Sequence, residues 1–306
     1  MKKIFFVLNG RLKNIARTKI VIHKMFGWEY YVSIAVTDGS EDATRLSKQA
    51  VLDGTDYLIA AGGDGTMSEV VNGIMLVEKG KRENLIVGLY PLGGGNDFAR
   101  TMNLSKNLSD LYQLIEQNSV RKIDIGKLEY KKRNGEDSVR FFNNIADVGI
   151  GAEVAKRVNE GKKMYGANFD FFKATLISFL KYKRKKIRLE ADGFKWNGSL
   201  LVLCISNGKY FGSGLGITPQ AKVDDGKFSL TLAGEVSLWD YLKNIFRIRK
   251  CEVLNHPGII YADVSECKVE PEGEPCLIEA DGEMIGTIPL KATILKNELN
   301  FLADKS

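Results

Sequence analysis

Histidine and cysteine are scarce in this chain, and each shortage removes a class of chemistry. Only His23 and His256 stand among 306 residues, and neither lies in a metal-ligand or triad spacing. Acid–base work therefore falls to carboxylates. Cys204, Cys251, Cys267 and Cys276 form no CxxC pair and are too sparse for a disulfide scaffold. Reduced thiols in a cytoplasmic protein are expected. No apolar run approaches the ~18–20 residues that a membrane-spanning helix needs. The opening Ile4-Phe5-Phe6-Val7-Leu8 is shorter than the ~7–15 residues of a signal-peptide core and predicts a buried first strand. No Gly-Lys pair is followed by Ser or Thr, and GxGxxG occurs nowhere. A Walker A loop and a dinucleotide fingerprint are both excluded.

What is present is an ordinary globular composition, 44% hydrophobic and 27% charged. The net charge of +6 leaves nucleic acid, anionic lipid and phosphorylated substrates open as partners. No motif supports nucleic acid. Part of the excess is local: Lys181-Tyr182-Lys183-Arg184-Lys185-Lys186-Ile187-Arg188 holds six basic residues in eight. Such a run is either a solvated helix end or a contact for an anionic partner.

The first third alternates strand and helix patterns. Strands are predicted at Ile4–Leu8, Tyr30–Val36, Tyr57–Ala61 and Ile86–Tyr90, with helices over Glu41–Leu52, from Thr66 to about Gly80, and over Leu108–Gln117. Met67, Val70, Val71 and Ile74 share one face of the second helix. This alternation predicts a mostly parallel sheet with helices packed on it. After about Asp124 strand patterns follow one another, at Val139–Ile145, Lys186–Ala191, Ser199–Ile205, Lys227–Leu232, Tyr261–Val269 and Cys276–Ala280. Asn197-Gly198 is a hairpin signal. Helical insertions are expected near Gly151–Glu160 and Phe169–Tyr182. A β-rich second domain beginning near residue 125 is the economical reading.

Two glycine-rich strings carry the chemistry. Gly62-Gly63-Asp64-Gly65-Thr66 lies between a predicted strand and helix. Its glycines let the backbone approach a ligand, and the helix start offers N–H groups to an anion. Thr66-Met67-Ser68-Glu69 matches a capping box, so Thr66 is expected to start the helix. Asp64 would repel a phosphate unless a cation sits between them, which implies Mg²⁺. Pro91-Leu92-Gly93-Gly94-Gly95-Asn96-Asp97 repeats the logic after the next strand. Asp97 is equally suited to cap a helix. Both loops are expected at the carboxyl edge of one parallel sheet, where open α/β sheets bind ligands.

At these strings the chain resembles the diacylglycerol kinase catalytic-domain superfamily, the soluble bacterial lipid kinases related to sphingosine and ceramide kinases. The resemblance covers about residues 4 to 302. It extends through Lys122-Ile123-Asp124-Ile125-Gly126, Phe142–Gly149, Ser206–Gly214, Thr218–Gly226 and Glu279-Ala280-Asp281-Gly282-Glu283. It implies a two-domain protein. Residues 1–125 and 292–306 would form a Rossmann-like α/β nucleotide-binding domain, similar to those of NAD kinases and phosphofructokinases. Residues 126–291 would form a β-sandwich with helical insertions that binds the lipid. The implied reaction carries the γ-phosphoryl group of ATP to a lipid hydroxyl, with diacylglycerol becoming phosphatidic acid.

The resemblance also implies roles for residues. Asp281 would accept the proton of the attacking hydroxyl; read alone, Asp281-Gly282 is also a plain β-turn. Asn9, Thr37, Gly62, Gly63, Asp64, Gly65, Thr66, Gly93, Gly94 and Asn96 would contact nucleotide, with Glu283 as the nucleotide-side acid. Asp64, Asp97 and Asp124 would hold catalytic Mg²⁺. Asp225, with the main-chain oxygens of Lys222 and Lys227, would hold a second metal. Two positions depart from the family pattern: Asn9-Gly10-Arg11 lacks the usual proline and closing glycine, and Gly94 replaces a threonine.

Lys162, Lys163 and Met164 precede Phe169, Phe171, Phe172, Leu176, Ile177, Phe179 and Leu180. Aromatics beside lysines suit a helix at an anionic membrane surface, and they suit a core helix with a basic end equally. The expected location is the cytoplasm, with transient contact at the inner face of the membrane, and dimerisation is common in the family. Two alternatives stay open. One is an NAD kinase-like enzyme acting on a soluble substrate; the other is a non-catalytic nucleotide- or lipid-binding regulator.

Overall fold

The chain folds as two units, Met1–Ile123 with Asn297–Ser306, and Asp124–Lys296. The structure, a computed structural model, describes residues 1–161 and 166–304. Lys162, Lys163 and Met164 lie outside the described residues.

The first unit contains β1 (Lys2–Leu8), α1 (Ile15–Phe26), β2 (Tyr30–Val36), α2 (Asp42–Leu52), β3 (Tyr57–Gly62), α3 (Asp64–Met75), α4 (Lys79–Arg82), β4 (Ile86–Pro91), α5 (Asp97–Thr101) and α6 (Leu108–Glu116). The strands run parallel in the order β4-β3-β1-β2. β3 is buried at every position, as a central strand covered on both faces must be, which explains its unbroken apolar sequence. Phe6, Phe26, Tyr57 and Ile115 belong to one core under α1 and α6. On α3, Met67, Val70, Val71 and Ile74 are fully buried on the face that the 3.6-residue period predicted.

The second unit contains β5 (Val120–Lys131, beginning in the first), β6 (Asp137–Phe142), β7 (Ile145–Gly149), α7 (Ile150–Glu160), α8 (Ala167–Lys181), β8 (Lys185–Ala191), β9 (Phe194–Leu200), β10 (Val202–Ser206), β11 (Tyr210–Phe211), β12 (Leu215–Gly216), β13 (Phe228–Ala233), α9 (Leu238–Arg249), β14 (Ile259–Val264), β15 (Glu266–Pro271), β16 (Leu277–Ala280) and β17 (Glu283–Leu302). β14-β13-β10-β7-β16 pair antiparallel in that order. β8, β9 and β15 form a second antiparallel group. Leu128, Phe142, Leu189, Leu203, Phe228 and Val269 meet in one core between these strands. The other face of β7 and β10 packs against α7 and α8 through Ile145, Val202, Cys204, Val154 and Ala174. The last strand changes allegiance along its length: from Asn297 onward β17 belongs to the first unit, where Asn300 and Phe301 pair parallel with Ile86 and Val87 of β4.

Several expectations are corrected. Asn197-Gly198 lies inside β9, opposite Arg188 and Ile187, and the hairpin turns at Asp192-Gly193 instead. Both pairs are good turn formers; cross-strand burial decides, because only this register places Leu189 opposite Trp196. The predicted strand over Tyr261–Val269 divides at Ser265, whose N–H donates to Asp192. The strand over Val139–Ile145 divides at Asn143-Asn144. Thr66 does not start its helix: α3 begins at Asp64 with Gly63 as the cap residue, because the chain turns tightly enough at Gly62-Gly63 to start helix at once. The basic run Lys181–Arg188 is a helix-to-strand junction. Within it Arg184 donates to Val236 O, Lys185 to Pro275 O and Arg188 to Glu272. α1, the short α4 and α5, and α9 match no predicted helix, although Ser237-Leu238-Trp239-Asp240 forms a reciprocal capping box that marks the start of α9. The four cysteines are free thiols, and no described helix is long and apolar enough to cross a membrane.

Candidate active site: paired glycine loops and a cradled carboxylate

In the first unit β1, β2, β3 and β4 end together, because parallel pairing aligns Leu8, Val36, Ala61 and Tyr90. Asn9, Thr37, Gly62–Thr66 and Gly93–Asp97 follow those ends directly, so one sheet edge collects them. Asn9 donates through its amide to Thr66 Oγ1 at 2.8 Å, and Gly10 N–H donates to Thr37 Oγ1 at 3.0 Å. The two glycine loops touch. Leu92 N–H and Gly93 N–H both donate to Gly62 O. A side chain on Gly93 would place its Cβ 2.4 Å from Gly63 Cα, closer than any residue but glycine allows. Asn96 adopts a left-handed φ of 52°; its side chain accepts from Gly93 N–H and donates to Gly93 O, closing the second loop on itself. Gly94 is exposed at that loop's tip.

Asp64 and Asp97 are the first residues of α3 and α5. Asp64 accepts from Phe98 N–H at 3.0 Å, which ties the two helix starts together. The first-turn amides of α3 have no intrahelical acceptor and carry the positive end of the helix dipole. Hard carboxylate oxygens beside such amides suit Mg²⁺ bound to phosphate. The third expected acid, Asp124, begins the second unit; it is fully buried and accepts from Gly226 N–H at 2.6 Å. No three carboxylate, imidazole or thiol groups gather among the described residues as a ready cation cage. Asp225 is exposed and accepts from Lys227 N–H at 3.0 Å, while Lys222 opens the same loop.

In the second unit Asp281 sits in the two-residue turn between β16 and β17. Asp281 and Gly282 have φ of 49° and 91°, the pair of positive values that a tight primed hairpin turn requires. The Asp281 carboxylate accepts from Asn143, Asn144 and Ile145 N–H at 3.1, 3.1 and 3.2 Å. That is why the strand predicted across Asn143 is interrupted: its amides turn away from the ladder to hold a carboxylate. Burial pushes the Asp281 carboxyl up to about 6, opposed by those three N–H donors and by the charge of Arg140. Three donors leave room for one more on its four lone-pair sites. Glu283 pairs with Arg140 at 2.8 Å. Asn207 donates to Asp124 O and Asn143 O, tying the Asp124 end of β5 to the cradle.

Two features go beyond anything the sequence pattern predicts. An apolar cleft, lined by Phe171, Phe179, Leu201, Phe211, Tyr241 and Ile248 among others, opens beneath α8 and α9. α8 is thus divided: Ala174, Thr175 and Ser178 are buried, Phe171 and Phe179 line the cleft, and Leu180 is exposed. Trp239 and Phe246 of α9 are exposed as well. The second feature is a pair of buried acids, Asp147 and Glu279, whose only signal is an acid inside a strand that otherwise reads as apolar.

Residues 3–128 match the diacylglycerol kinase catalytic domain, and residues 144–303 match the YegS C-terminal NAD kinase beta sandwich-like domain. A diacylglycerol kinase of Staphylococcus carnosus is 28% identical over 285 residues, 93% of this chain and 89% of that protein. A crystal structure of a diacylglycerol kinase from Bacillus anthracis aligns with a TM-score of 0.71 at 18% identity, covering 99% of this chain and 97% of that one. Yeast NADH kinase, solved with NADH, aligns with a TM-score of 0.57 at 10% identity over 100% of this chain and 84% of that one. The last two likenesses are likenesses of fold.

Proposed function

This chain belongs to the lipid kinase family that joins a diacylglycerol kinase catalytic domain to a YegS-type β-sandwich domain, and we propose that it transfers the γ-phosphoryl group of ATP to the hydroxyl of diacylglycerol. The observation that carries the acceptor side is Asp281, a buried carboxylate held by three backbone N–H groups in the same unit as an apolar cleft. A cleft lined by aromatic and aliphatic side chains suits acyl chains.

Phosphoryl transfer needs positioning and charge neutralisation more than covalent help from the protein. The first unit supplies the amides of two touching glycine loops and the start of α3 for the ATP phosphates. Asn9, Thr37, Thr66 and Asn96 hold those loops in shape and contact nucleotide from the same edge. Mg²⁺, held by Asp64 and Asp97, would neutralise charge on the phosphates. In the second unit Asp281 orients the lipid hydroxyl and takes its proton as the oxygen attacks phosphorus. Its carboxyl, raised to about 6, is ionised at neutral pH yet more basic than an exposed aspartate, as a general base should be. Glu283 keeps Arg140 beside this carboxylate. Asp225 with Lys222 O and Lys227 O forms a second, structural cation site in the sandwich. The exposed Leu180, Trp239 and Phe246, with Arg247, Arg249 and Lys250 nearby in sequence, form the surface that meets an anionic membrane.

The test is ATP consumption with Mg²⁺, with and without mixed vesicles of diacylglycerol and an anionic phospholipid. Lipid-dependent turnover yielding phosphatidic acid is expected. Turnover indifferent to lipid would move the assignment to a soluble acceptor, and nucleotide binding without turnover would remove diacylglycerol.

A further inference from the structure

The Asp281 turn rests on a second pair of acids that the reaction itself does not use. Asp147 of β7 and Glu279 of β16 are cross-strand partners. Both are buried, at 1% and 4% exposure, and their carboxyl groups are within hydrogen-bonding reach of each other. Neither is paired with lysine, arginine or histidine among the described residues. Two adjacent buried carboxylates cannot both stay ionised, so the pair holds a proton.

The surroundings say which acid holds it. Asp147 Oδ1 accepts from Ala152 N–H at 3.1 Å, in the first turn of α7, where the helix dipole favours an anion. Its Oδ2 is buried and accepts from no standard donor, the situation of an oxygen that receives a proton from a neighbouring acid. Gly151 makes the arrangement possible: any larger residue would put its Cβ 2.3 Å from Asp147 Oδ2. Glu279 Oε1 in turn accepts from Gly282 N–H, the amide that follows Asp281. Burial and the neighbouring Asp147 both push the Glu279 carboxyl well up. The chain of contacts therefore runs from the start of α7 through Asp147 and protonated Glu279 to the turn. Asn159, in the last turn of α7, donates to Gly282 O at 3.2 Å, so α7 reaches the turn directly at its end and, through Asp147 and Glu279, from its start.

We propose that Asp147 and Glu279 share one proton, carried by Glu279, and act as positioning residues that hold the Asp281 turn in register for phosphoryl transfer. The positioning role rests on the reading of Asp281 as the base; the shared proton does not. The remaining titratable groups around the pair are Cys204 on β10, Glu153 on α7, Tyr182 after α8, Cys276 before β16 and Asp281 itself.

The test combines three substitutions with carboxyl NMR. Glu279→Gln can accept from Gly282 N–H and donate to Asp147, so it should keep kcat within about three-fold. Glu279→Ala frees the turn; misplacement of a reacting group by about 1 Å costs on the order of 100-fold, so kcat should fall about 10- to 100-fold with KM for ATP unchanged. Asp147→Asn offers Glu279 a donor instead of an acceptor. Glu279 then ionises beside Asp281, and the acid limb of the kcat profile moves to higher pH. Independently of turnover, the ¹³C-carboxyl signal of Glu279, assigned by its loss in Glu279→Gln, should report a protonated acid at pH 7 in the wild-type protein. An ionised Glu279 at pH 7 overturns Glu279 as the carrier of the proton. Wild-type kcat in Glu279→Ala, or Glu279→Gln as impaired as Glu279→Ala in proteins of matched melting temperature, overturns the positioning role. If Glu279→Ala fails to fold, Glu279→Gln, Asp147→Asn and the NMR signal still decide. Absence of lipid-dependent turnover in the wild type sinks the diacylglycerol assignment alone, and the NMR signal still decides the shared proton.

Discussion

The glycine loops of the first unit and the Asp281 turn of the second both organise backbone N–H groups, but to opposite ends. At the sheet edge the first-turn amides of α3 lack intrahelical acceptors and await an anion from outside. At the turn, three amides are already committed to an anion of the protein's own, the Asp281 carboxylate. In the proposed reading the first arrangement receives phosphate and need only be accessible. The second, in the same reading, tunes a base and must be buried, since burial is what raises the Asp281 carboxyl to about 6. An anion receptor can be written in a short contiguous string. A tuned base requires its donors to come from a different strand, here the interruption at Asn143–Ile145, more than a hundred residues earlier in the chain.

This contrast can be broken by experiment. The largest effect is expected for Asp281→Asn. Removing a general base costs on the order of 10²–10⁴ in rate, while nucleotide affinity, measured by fluorescence titration, should be unchanged. Loss of ATP binding in that variant would break the division of labour. Asp64→Ala should do the reverse. Turnover falls by about two orders of magnitude, the scale of lost transition-state charge stabilisation, and the Mg²⁺ requirement rises. An unaltered Mg²⁺ titration would remove Asp64 from the cation site.

The pH profile sharpens the same contrast. As the proposed base Asp281 would work as an anion, and burial places its carboxyl at about 6. Turnover should therefore be full above that pH and fall as pH drops through it. Arg140 lowers the carboxyl, so Arg140→Gln should move the acid limb upward. A limb that stays in place would separate it from Asp281. A smaller change is expected from Phe179→Ala in the cleft: KM for diacylglycerol in vesicles should rise about 10-fold, the scale of a few buried methylenes, with KM for ATP constant. The smallest effect on turnover belongs to Arg82→Ala. Arg82 and Glu298 pair at 2.6 Å with side chains 7% and 8% exposed, joining α4 to the end of β17. Glu298 keeps Lys79 at 2.9 Å, so the loss should stay below the ~3 kcal/mol of a buried charge left unpaired; the urea midpoint should fall while kcat holds.

Local strings made much of the loop-bearing sheet edge legible. Gly62–Thr66 and Gly93–Asp97 lie where the strand-helix alternation placed them, because a parallel sheet delivers every βα loop to one edge. The fully buried face of α3 was readable from its period. Asp281-Gly282 was readable as a turn, because Asp and Gly tolerate positive φ. Other elements were not legible for definite reasons. Asn197-Gly198 and Asp192-Gly193 are near-equal turn formers, and only the facing strand chose between them. α9 was legible too and went unread: its capping box is written in Ser237–Asp240, and its apolar residues recur at helical period.

The sequence alone determined the four parallel strands of the first unit and its helices α2, α3 and α6, the two glycine loops, and the turn that carries Asp281. Those are local properties, set by side-chain period and by which residues accept positive φ. Tertiary structure decided the rest. It chose which amides surround Asp281, drew Asp147 and Glu279 onto facing strands, and opened the apolar cleft beneath α8 and α9. Each of these depends on residues far apart in the chain. Their effects, a raised carboxyl, a shared proton and an apolar cavity, arise from burial, which no short stretch of sequence specifies by itself.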